Sequence, residues 1–277
     1  IAAAGGHNVL MIGPPGSGKT MMARCLPGIL PPMTFEEALE TTRIHSIAGR
    51  MQPGSGLMVL RPFCAPHHSA SVASLIGGGS NARPGEVSLA HNGVLFLDEL
   101  PEFSRPALEA LRQPLEDGIV SVTRVQNQAQ YQASFMFIAS MNPCPCGYFG
   151  HPRRKCTCSE RQVHQYLNRI SGPLLDRFDL HIEVEPVSFD DLSAKAKSEC
   201  SADIRKRVQT ARTRQQERFS GSSISCNAVI PAGRLQEFCP LQDNAAVLLR
   251  AVFDKLGLSA RAYDRILKVA RTIADLD

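Results

Sequence analysis

Eight residues near the start of the chain have the types and spacing of a phosphate-binding loop. The sequence Gly13-Pro14-Pro15-Gly16-Ser17-Gly18-Lys19-Thr20 directly follows the apolar run Val9-Leu10-Met11-Ile12. Small residues let successive backbone N–H groups converge on phosphate oxygens at a helix N-terminus, where the helix dipole favours negative charge. In this pattern Lys19 reaches the β- and γ-phosphates and the Thr20 hydroxyl binds Mg²⁺. The segment therefore predicts a nucleoside triphosphate site rather than a surface turn.

Two consecutive carboxylates follow a second apolar run. Val94-Leu95-Phe96-Leu97 is apolar throughout, as in a strand buried on both faces of a parallel sheet, and Asp98 and Glu99 come next. Asp98 suits the Mg²⁺ shell, and Glu99 suits the base that orients an attacking water. One carboxylate at a strand end often only caps a turn, but a tandem pair after a phosphate loop favours hydrolysis. The guanine-reading sequence Asn-Lys-x-Asp does not occur, which favours ATP over GTP.

A third apolar run, Phe135-Met136-Phe137-Ile138-Ala139, leads into Ser140-Met141-Asn142-Pro143. A polar amide at the carboxyl end of a central strand can reach the γ-phosphate or the lytic water. Asn before Pro is also a common turn former. Both interpretations of Asn142 therefore stay open from the residues alone.

The elements that would position these residues alternate between strands and helices. Strands are predicted at 8–12, 94–98, 135–140 and 180–185, and helices at 17–26, 34–47, 104–115 and 160–176. This alternation predicts an α/β domain with a parallel sheet flanked by helices. After Phe189 the pattern indicates helices only, at 190–219, 231–239, 243–256 and 259–276, with Ser259 as an N-cap. We place the nucleotide-binding domain at 1–188 and a helical domain at 189–277.

Two segments of the first domain are additions to a minimal phosphate-loop core. Residues 49–92 form a long stretch rich in Gly, Pro and His, and an insertion of this length is either functional or disordered. Residues 118–135 alternate apolar and polar side chains around Gln126-Asn127-Gln128, which predicts a β-hairpin with a polar tip.

Four of the nine cysteines lie close together in the loop 144–158, which also carries the basic tip Arg153-Arg154-Lys155. These four are Cys144, Cys146, Cys156 and Cys158. Four thiolates in two close pairs can complete a tetrahedral zinc shell and anchor such a loop. Reduced free thiols, disulfides and His151 as a substitute ligand remain alternatives, because C-x-C is tighter than the usual zinc-binding spacing.

Composition is ordinary for a globular protein, with 43% hydrophobic residues and a net charge of +4. Residues 191–277 hold 15 Lys and Arg against 10 Asp and Glu, so the basic excess lies near the C-terminus. This excess is compatible with nucleic-acid binding and equally with a solvated helical face. Since no apolar stretch reaches the length of a membrane span and no signal peptide is evident, we expect a cytoplasmic protein without a membrane partner.

Taken together, these motifs resemble those of AAA+ ATPases in the group that includes the magnesium chelatase ATPase subunit and the minichromosome-maintenance helicases. Within this group the chain is most similar to the magnesium-chelatase-like ComM/YifB family. The resemblance covers essentially the whole chain. The segments that carry it are Gly5-Gly6-His7-Asn8, Arg61-Pro62-Phe63-Cys64-Ala65-Pro66-His67-His68, Arg83 to Gly93, Leu97 to Phe103, and Asn142-Pro143-Cys144-Pro145-Cys146-Gly147.

The resemblance implies further roles for three residues: Asn142 becomes a polar sensor, Arg177 an arginine finger that stabilises the γ-phosphate in a neighbouring subunit, and Arg261 a second sensor on the helical lid. Surface ion pairs are the alternative for both arginines. A finger donated between subunits requires a ring, which the resemblance predicts to be a hexamer. The chain is then a fragment that lacks an upstream Lon-protease-like domain and part of the adenine contacts.

The resemblance also implies a DNA motor that uses ATP and Mg²⁺ for helicase or branch-migration activity. The alternative is a remodeller of a partner protein, as in magnesium chelatase. A third possibility, an ATP-binding module without turnover, is disfavoured by intact Lys19, Asp98 and Glu99. The little positive charge at the hairpin tip and the absence of Trp from the sequence leave the DNA hypothesis permitted rather than required.

Overall fold

The structure, a computed structural model, describes residues 1–78, 82–123, 128–186 and 199–277. These residues fall into two units. One comprises Val9–Gly28 and Pro32–Ser198, and the other Ile1–Asn8, Ile29–Pro31 and Glu199–Asp277. The domain boundary predicted near residue 188 lies outside the described residues.

The larger unit is built on a parallel sheet. The described strands are β1 Val9–Ile12, β2 Phe63–Cys64, β3 Gly77–Gly78, β4 Arg83–Pro84, β5 Val94–Leu97, β6 Ile119–Thr123, β7 Gln128–Gln132, β8 Met136–Met141 and β9 Leu180–Glu183. Five of them form the main sheet in the order β2-β5-β8-β1-β9, with every neighbouring pair parallel. All residues of β5 and β8 are buried, as expected for apolar strands covered on both faces. The predicted α/β fold is confirmed.

The edge strand β2 lies within the insertion 49–92 and does not appear among the predicted strands. It is two residues long and lies between Pro62 and Pro66, so it carries almost no periodic signal. It pairs with β5 through the partners Phe63–Val94 and Cys64–Leu95. The insertion therefore supplies a structural part of the sheet.

Helices alternate with the strands of the main sheet along the chain. They are α2 Lys19–Ile29, α3 Phe35–Ile47, α4 Val72–Ile76, α5 Glu86–Leu89, α6 Arg105–Ala110, α7 Arg112–Asp117, α8 Glu160–Leu167 and α9 Gly172–Leu175; a first short helix, α1 Ala2–Gly5, belongs to the other unit. The helix predicted at 160–176 is interrupted after α8, and α9 begins at Gly172-Pro173, where proline is tolerated only in the first turn.

Two small antiparallel pairs accompany the main sheet, and β6 contributes Val120 and Val122 to the same hydrophobic core. Strands β6 and β7 pair with Ile119 opposite Gln132 and Thr123 opposite Gln128, in the segment where the alternating pattern predicts a hairpin. The predicted tip residues Gln126 and Asn127 lie outside the described part of the chain. Strands β3 and β4 form a second, shorter pair.

The other unit contains α1 and the C-terminal helices α10 Ser201–Arg218, α11 Leu235–Phe238, α12 Asp243–Leu256 and α13 Ala260–Leu276. Ser259 caps α13 by accepting a hydrogen bond from the Ala262 N–H, so the predicted cap is confirmed. Of the helices in the described ranges, none combines the length and apolar character needed to cross a membrane.

A buried polar network holds this unit together. Asp275 is only 1% exposed and accepts hydrogen bonds from Arg218 and, at 2.8 Å, from the Asn227 amide. Arg271 lies 3.3 Å from the same carboxylate. The Asn227 amide also donates to Thr272, whose hydroxyl contacts the His7 ring at 2.8 Å. The network thus connects α13 to the first residues of the chain.

Replacing Asp275 by Ala should lower the free energy of unfolding of this unit by about 3 kcal/mol, because the partly buried guanidinium groups of Arg218 and Arg271 lose their buried counter-charge. Burial acts to raise the pKa of Asp275, but the hydrogen bonds from Arg218 and Asn227 outweigh it and hold this pKa below its ordinary value of 3.8. The stabilisation is therefore present above that value and is lost as the pH falls through the folded-state pKa.

Chemical denaturation of wild-type and variant proteins measures this difference. Asp254→Ala is the matched control, since Asp254 is an exposed acid on α12. We expect the control to change stability by less than about 0.5 kcal/mol. Equal effects of the two substitutions would contradict the assigned role of Asp275.

Candidate nucleotide site and cysteine cluster

The predicted phosphate loop lies between β1 and α2. Gly16 and Gly18 have φ values of +78° and +86°, which favour glycine because other side chains are strained there. A Cβ on Gly13 would lie 2.4 Å from the Val184 carbonyl oxygen. The glycines thus allow the tight path that the loop takes before α2 begins at Lys19.

The Lys19 side chain lies inside this loop and is buried. Its Nζ donates to the carbonyl oxygens of Gly13 at 2.7 Å and Pro14 at 2.8 Å. Burial lowers the pKa of Lys19, while the carboxylates of Asp98 and Glu99 act in the opposite direction. The ammonium group is therefore held where it can meet a bound phosphate, close to the acidic strand.

Asp98 joins the phosphate-loop helix to two strands of the sheet. Its carboxylate accepts a hydrogen bond of 2.7 Å from the Thr20 hydroxyl and another from the Ser140 hydroxyl at the end of β8. The Glu99 backbone N–H also donates to it, at 3.1 Å. A carboxylate and hydroxyl oxygens gathered in this way fit the oxygen-rich shell that Mg²⁺ prefers.

Ser140 is a site residue that sequence reasoning quoted but gave no role. Its side chain is fully buried, and its position at the carboxyl end of a central strand is the signal that could have identified it. Strand β8 lies between β1 and β5 in the sheet. This order places Ser140 next to the Asp98 carboxylate.

Glu99 adopts left-handed backbone geometry, with φ of 54°. Such a conformation is uncommon for a residue other than glycine and is often found at functional sites. Its carboxylate is about half exposed and lies 3.6 Å from Nδ1 of His68, a few residues after β2. The predicted base is therefore accessible to a ligand and has a histidine beside it that sequence analysis did not connect to the site.

Asn142 lies just past β8 on the side of the phosphate loop. Its side-chain oxygen accepts a 3.4 Å hydrogen bond from Lys19 Nζ. The preceding residue, Met141, accepts a 3.2 Å hydrogen bond from the Gly13 N–H. The structure thus brings the predicted sensor to the lysine of the phosphate loop.

The two predicted arginines occupy different units. Arg177 follows α9 in the larger unit and forms an ion pair with Glu116 of α7. This is the type of contact that the sequence left open as an alternative to a finger, and a finger role would require it to break. Arg261 is exposed near the start of α13 in the other unit.

The four cysteines of the loop 144–158 come together. Their sulfur atoms all lie within 4.8 Å of one another. Cys144 Sγ is 3.4 Å from Cys146 Sγ and 3.7 Å from Cys156 Sγ, and the last two are 3.5 Å apart. A tetrahedral zinc site with Zn–S bonds of about 2.3 Å has sulfur atoms about 3.8 Å apart, whereas a disulfide has about 2.05 Å. The cluster is therefore compatible with a structural zinc.

The thiols of the cluster also shift one another's pKa values. Backbone N–H groups of Thr157 and Tyr148 lower the pKa of Cys146 to about 5. The Cys158 N–H acts to lower the pKa of Cys156, but burial and the neighbouring Cys146 and Cys144 outweigh it and raise this pKa to about 12. Four thiolates this close together would repel one another, and a bound divalent cation would offset that repulsion.

A parallel sheet with a phosphate loop after one strand and paired acids after another defines a P-loop protein of the AAA+ type. Comparison with known proteins agrees. The family model for magnesium chelatase, subunit ChlI, matches residues 1–192, and that for its C-terminal part matches residues 198–277. The chain therefore belongs to the magnesium chelatase ChlI family of AAA+ type ATPases, and the predicted ComM/YifB affiliation is confirmed.

Several curated relatives match the whole chain. It is 48% identical to the uncharacterized protein YifB of Salmonella typhimurium over 278 residues, covering 54% of that protein. It is also 48% identical to the competence protein ComM of Haemophilus influenzae, covering 53%, and 44% identical to an uncharacterized protein of Mycobacterium bovis, covering 54%. The chain spans about half the length of these relatives.

Replacing Ser140 by Ala should raise the Mg²⁺ concentration needed for half-maximal ATP binding by about three- to tenfold, because Asp98 loses a hydrogen bond worth about 1 kcal/mol that orients it. Fluorescent-nucleotide titration at varied Mg²⁺ measures the change. Ser88→Ala is the control: Ser88 is equally buried, and its hydroxyl has no hydrogen-bond partner among the described residues. An equal increase in the required Mg²⁺ concentration in both variants would contradict the assigned role of Ser140.

Proposed function

We propose that this chain is the ATP-hydrolysing part of a ring-forming AAA+ motor that acts on DNA, as a helicase or branch-migration factor of the ComM type. The observation that carries ATP binding is the 2.7 Å hydrogen bond between the Thr20 hydroxyl and Asp98. It joins the end of the phosphate loop to the acidic strand, so one Mg·ATP can engage both.

In this proposal the loop from Gly13 to Thr20 holds the triphosphate through its backbone N–H groups. Lys19 exchanges its contacts with the loop carbonyls for the β- and γ-phosphates. Thr20 and Asp98 would hold Mg²⁺, and the ion would neutralise negative charge on the phosphate oxygens.

Hydrolysis is assigned to groups around the γ-phosphate position. Glu99 orients the attacking water and accepts its proton, while Asn142 positions the γ-phosphate or the water. The exposed Glu99 carboxylate and the contact between Asn142 and Lys19 support these roles. His68 contacts the base and is suited to holding its side chain in place.

Turnover further requires arginines that offset charge developing in the transition state. We assign Arg177 as a finger acting on the ATP of a neighbouring subunit, and Arg261 as a second sensor from the helical unit. Release of Arg177 from Glu116 would accompany assembly. The functional form is then a homo-oligomeric ring, proposed to be a hexamer.

One comparison favours DNA as the substrate: a relative of 48% identity is a competence protein. The excess of basic residues in the helical region 199–277 is compatible with DNA and equally with a solvated helical face. The family models favour the second candidate, a magnesium-chelatase-type subunit that remodels a partner protein. The nucleotide site serves both candidates equally, so DNA dependence must separate them.

The cysteine cluster is part of the proposal. We assign one structural zinc to Cys144, Cys146, Cys156 and Cys158, since the sulfur separations approach those of a tetrahedral shell. All four positions are filled by thiolates, so no open coordination position remains for catalysis. The ion would anchor the loop that follows Asn142.

The DNA hypothesis predicts that single- or double-stranded DNA stimulates ATP hydrolysis by the intact protein several-fold, with an affinity that falls steeply as salt increases. Phosphate release and fluorescence anisotropy measure these two quantities. Lys19→Ala should abolish hydrolysis while DNA binding persists. Hydrolysis without DNA stimulation or salt-sensitive binding would favour the partner-protein candidate, and no hydrolysis in the wild-type ring would overturn the ATPase proposal.

A mixing experiment tests whether the finger acts between subunits. Arg177→Ala and Glu99→Gln should each reduce hydrolysis by about 10³-fold or more when assayed alone. Mixed rings should recover activity, because some sites combine an intact Glu99 with an intact Arg177 from the neighbour. Arg112→Ala, which removes an exposed arginine paired with Glu109, should behave as wild type. Recovery no greater than the sum of the separate variants would exclude a finger donated between subunits.

A further inference from the structure

The short segment 141–147 contacts the phosphate loop at three points. The Met141 carbonyl oxygen accepts a hydrogen bond from the Gly13 N–H at 3.2 Å. The Asn142 side chain accepts one from Lys19 at 3.4 Å. Gly147 lies against the ring of Pro15, so closely that a Cβ on Gly147 would be 2.5 Å from Pro15 Cδ and 2.7 Å from Cγ. The segment therefore borders the loop from its start to its lysine.

The same segment holds two of the four clustered cysteines. Cys144 and Cys146 lie between Asn142 and Gly147, and their partners Cys156 and Cys158 come from the far side of the loop. The turn is tight: the Gly147 N–H donates to the Cys144 carbonyl oxygen at 2.9 Å, and Gly147 has φ of +83°. A cation on the four sulfurs would fix this turn.

We propose that zinc bound by the four cysteines holds the turn at Gly147 against Pro15 and thereby favours the nucleotide-binding shape of the phosphate loop. Zinc and ATP then bind with positive coupling. The inference rests on the proposed nucleotide site and adds to it a metal dependence that operates through packing. Cys144, Cys146 and Gly147 act as positioning residues and make no contact with substrate.

Thermodynamic linkage makes the coupling reciprocal: if zinc raises ATP affinity by some factor, ATP raises zinc affinity by the same factor. We expect a factor of about five or more, at the lower end of typical couplings between sites. The size is limited because the phosphate loop is also held by Met141 and Asn142, which the metal does not replace.

The first experiment uses the intact wild-type protein purified without chelators. Metal analysis should give close to one zinc per chain, and less than half a zinc per chain would overturn the proposal. Removal of zinc should weaken binding of fluorescent ATP about fivefold or more. Mg·ATP in excess should slow transfer of zinc to a chromogenic chelator, with magnesium alone as the control.

The second experiment alters the contact between Gly147 and Pro15 while leaving the zinc ligands in place. Gly147→Ala keeps all four cysteines but places a methyl group against Pro15. Gly150→Ala is the matched control, because Gly150 lies in the same loop with φ of +74° and has open space where the Cβ would be. Both variants should retain zinc, whereas only Gly147→Ala should weaken ATP binding about fivefold or more.

The outcomes distinguish a failure of the nucleotide site from a failure of its coupling to zinc. If zinc-loaded wild-type protein does not bind ATP, the proposed nucleotide site fails. If it binds ATP, and neither zinc removal nor Gly147→Ala changes the affinity, the nucleotide site stands and the coupling fails. Should Gly147→Ala not fold, as judged by circular dichroism and thermal unfolding, the reciprocal measurements on wild-type protein decide the question.

Discussion

The Asp98 carboxylate is the interaction on which the site depends. A parallel sheet brings the carboxyl ends of its strands to one edge, where backbone and side-chain polar groups need partners. The Asp98 carboxylate accepts hydrogen bonds from three groups: the Thr20 hydroxyl at the start of α2, the Ser140 hydroxyl at the end of β8, and the Glu99 N–H. A single acidic side chain thus connects the phosphate-binding helix with two strands.

Strand β8 lies between β5, which leads into Asp98, and β1, which leads into the phosphate loop. Strands β5 and β1 are not neighbours, so the acid and the phosphate loop meet across the end of β8. Ser140 and Asn142 occupy that end and contact one side each, Asp98 and Lys19 respectively. The polar residues of β8 therefore set the relative placement of the two motifs that the sequence marks most clearly.

The sequence predicts those elements of the fold and site that are specified by residues adjacent in the chain. The phosphate loop is evident because glycine must occupy the positive-φ positions Gly16 and Gly18, and β5 and β8 are evident because burial on both faces demands continuous apolar runs. Strand β2 is missed because two residues between prolines carry no period. The contact between His68 and Glu99 joins residues 31 positions apart, and nothing in either local pattern specifies it.

The cysteine cluster and the helical unit illustrate the same limit. Spacing alone permits a zinc site, and the sulfur separations add that the four thiols lie close enough to share one metal ion without being joined in disulfides. Likewise, the pattern separates helices from sheet after residue 189, yet it gives no sign that residues 1–8 belong with the C-terminal helices. That grouping depends on long-range hydrogen bonds such as the one between His7 and Thr272.

The membership of residues 1–8 in the helical unit has a consequence for the covalent path of the chain. Asn8 is the last residue of that unit at this point in the chain, and Val9 is the first residue of β1, with no linker between them. The chain crosses again between Gly28 and Ile29, at the end of α2. The segment made of β1, the phosphate loop and α2 is therefore bonded directly to the helical unit at both of its ends.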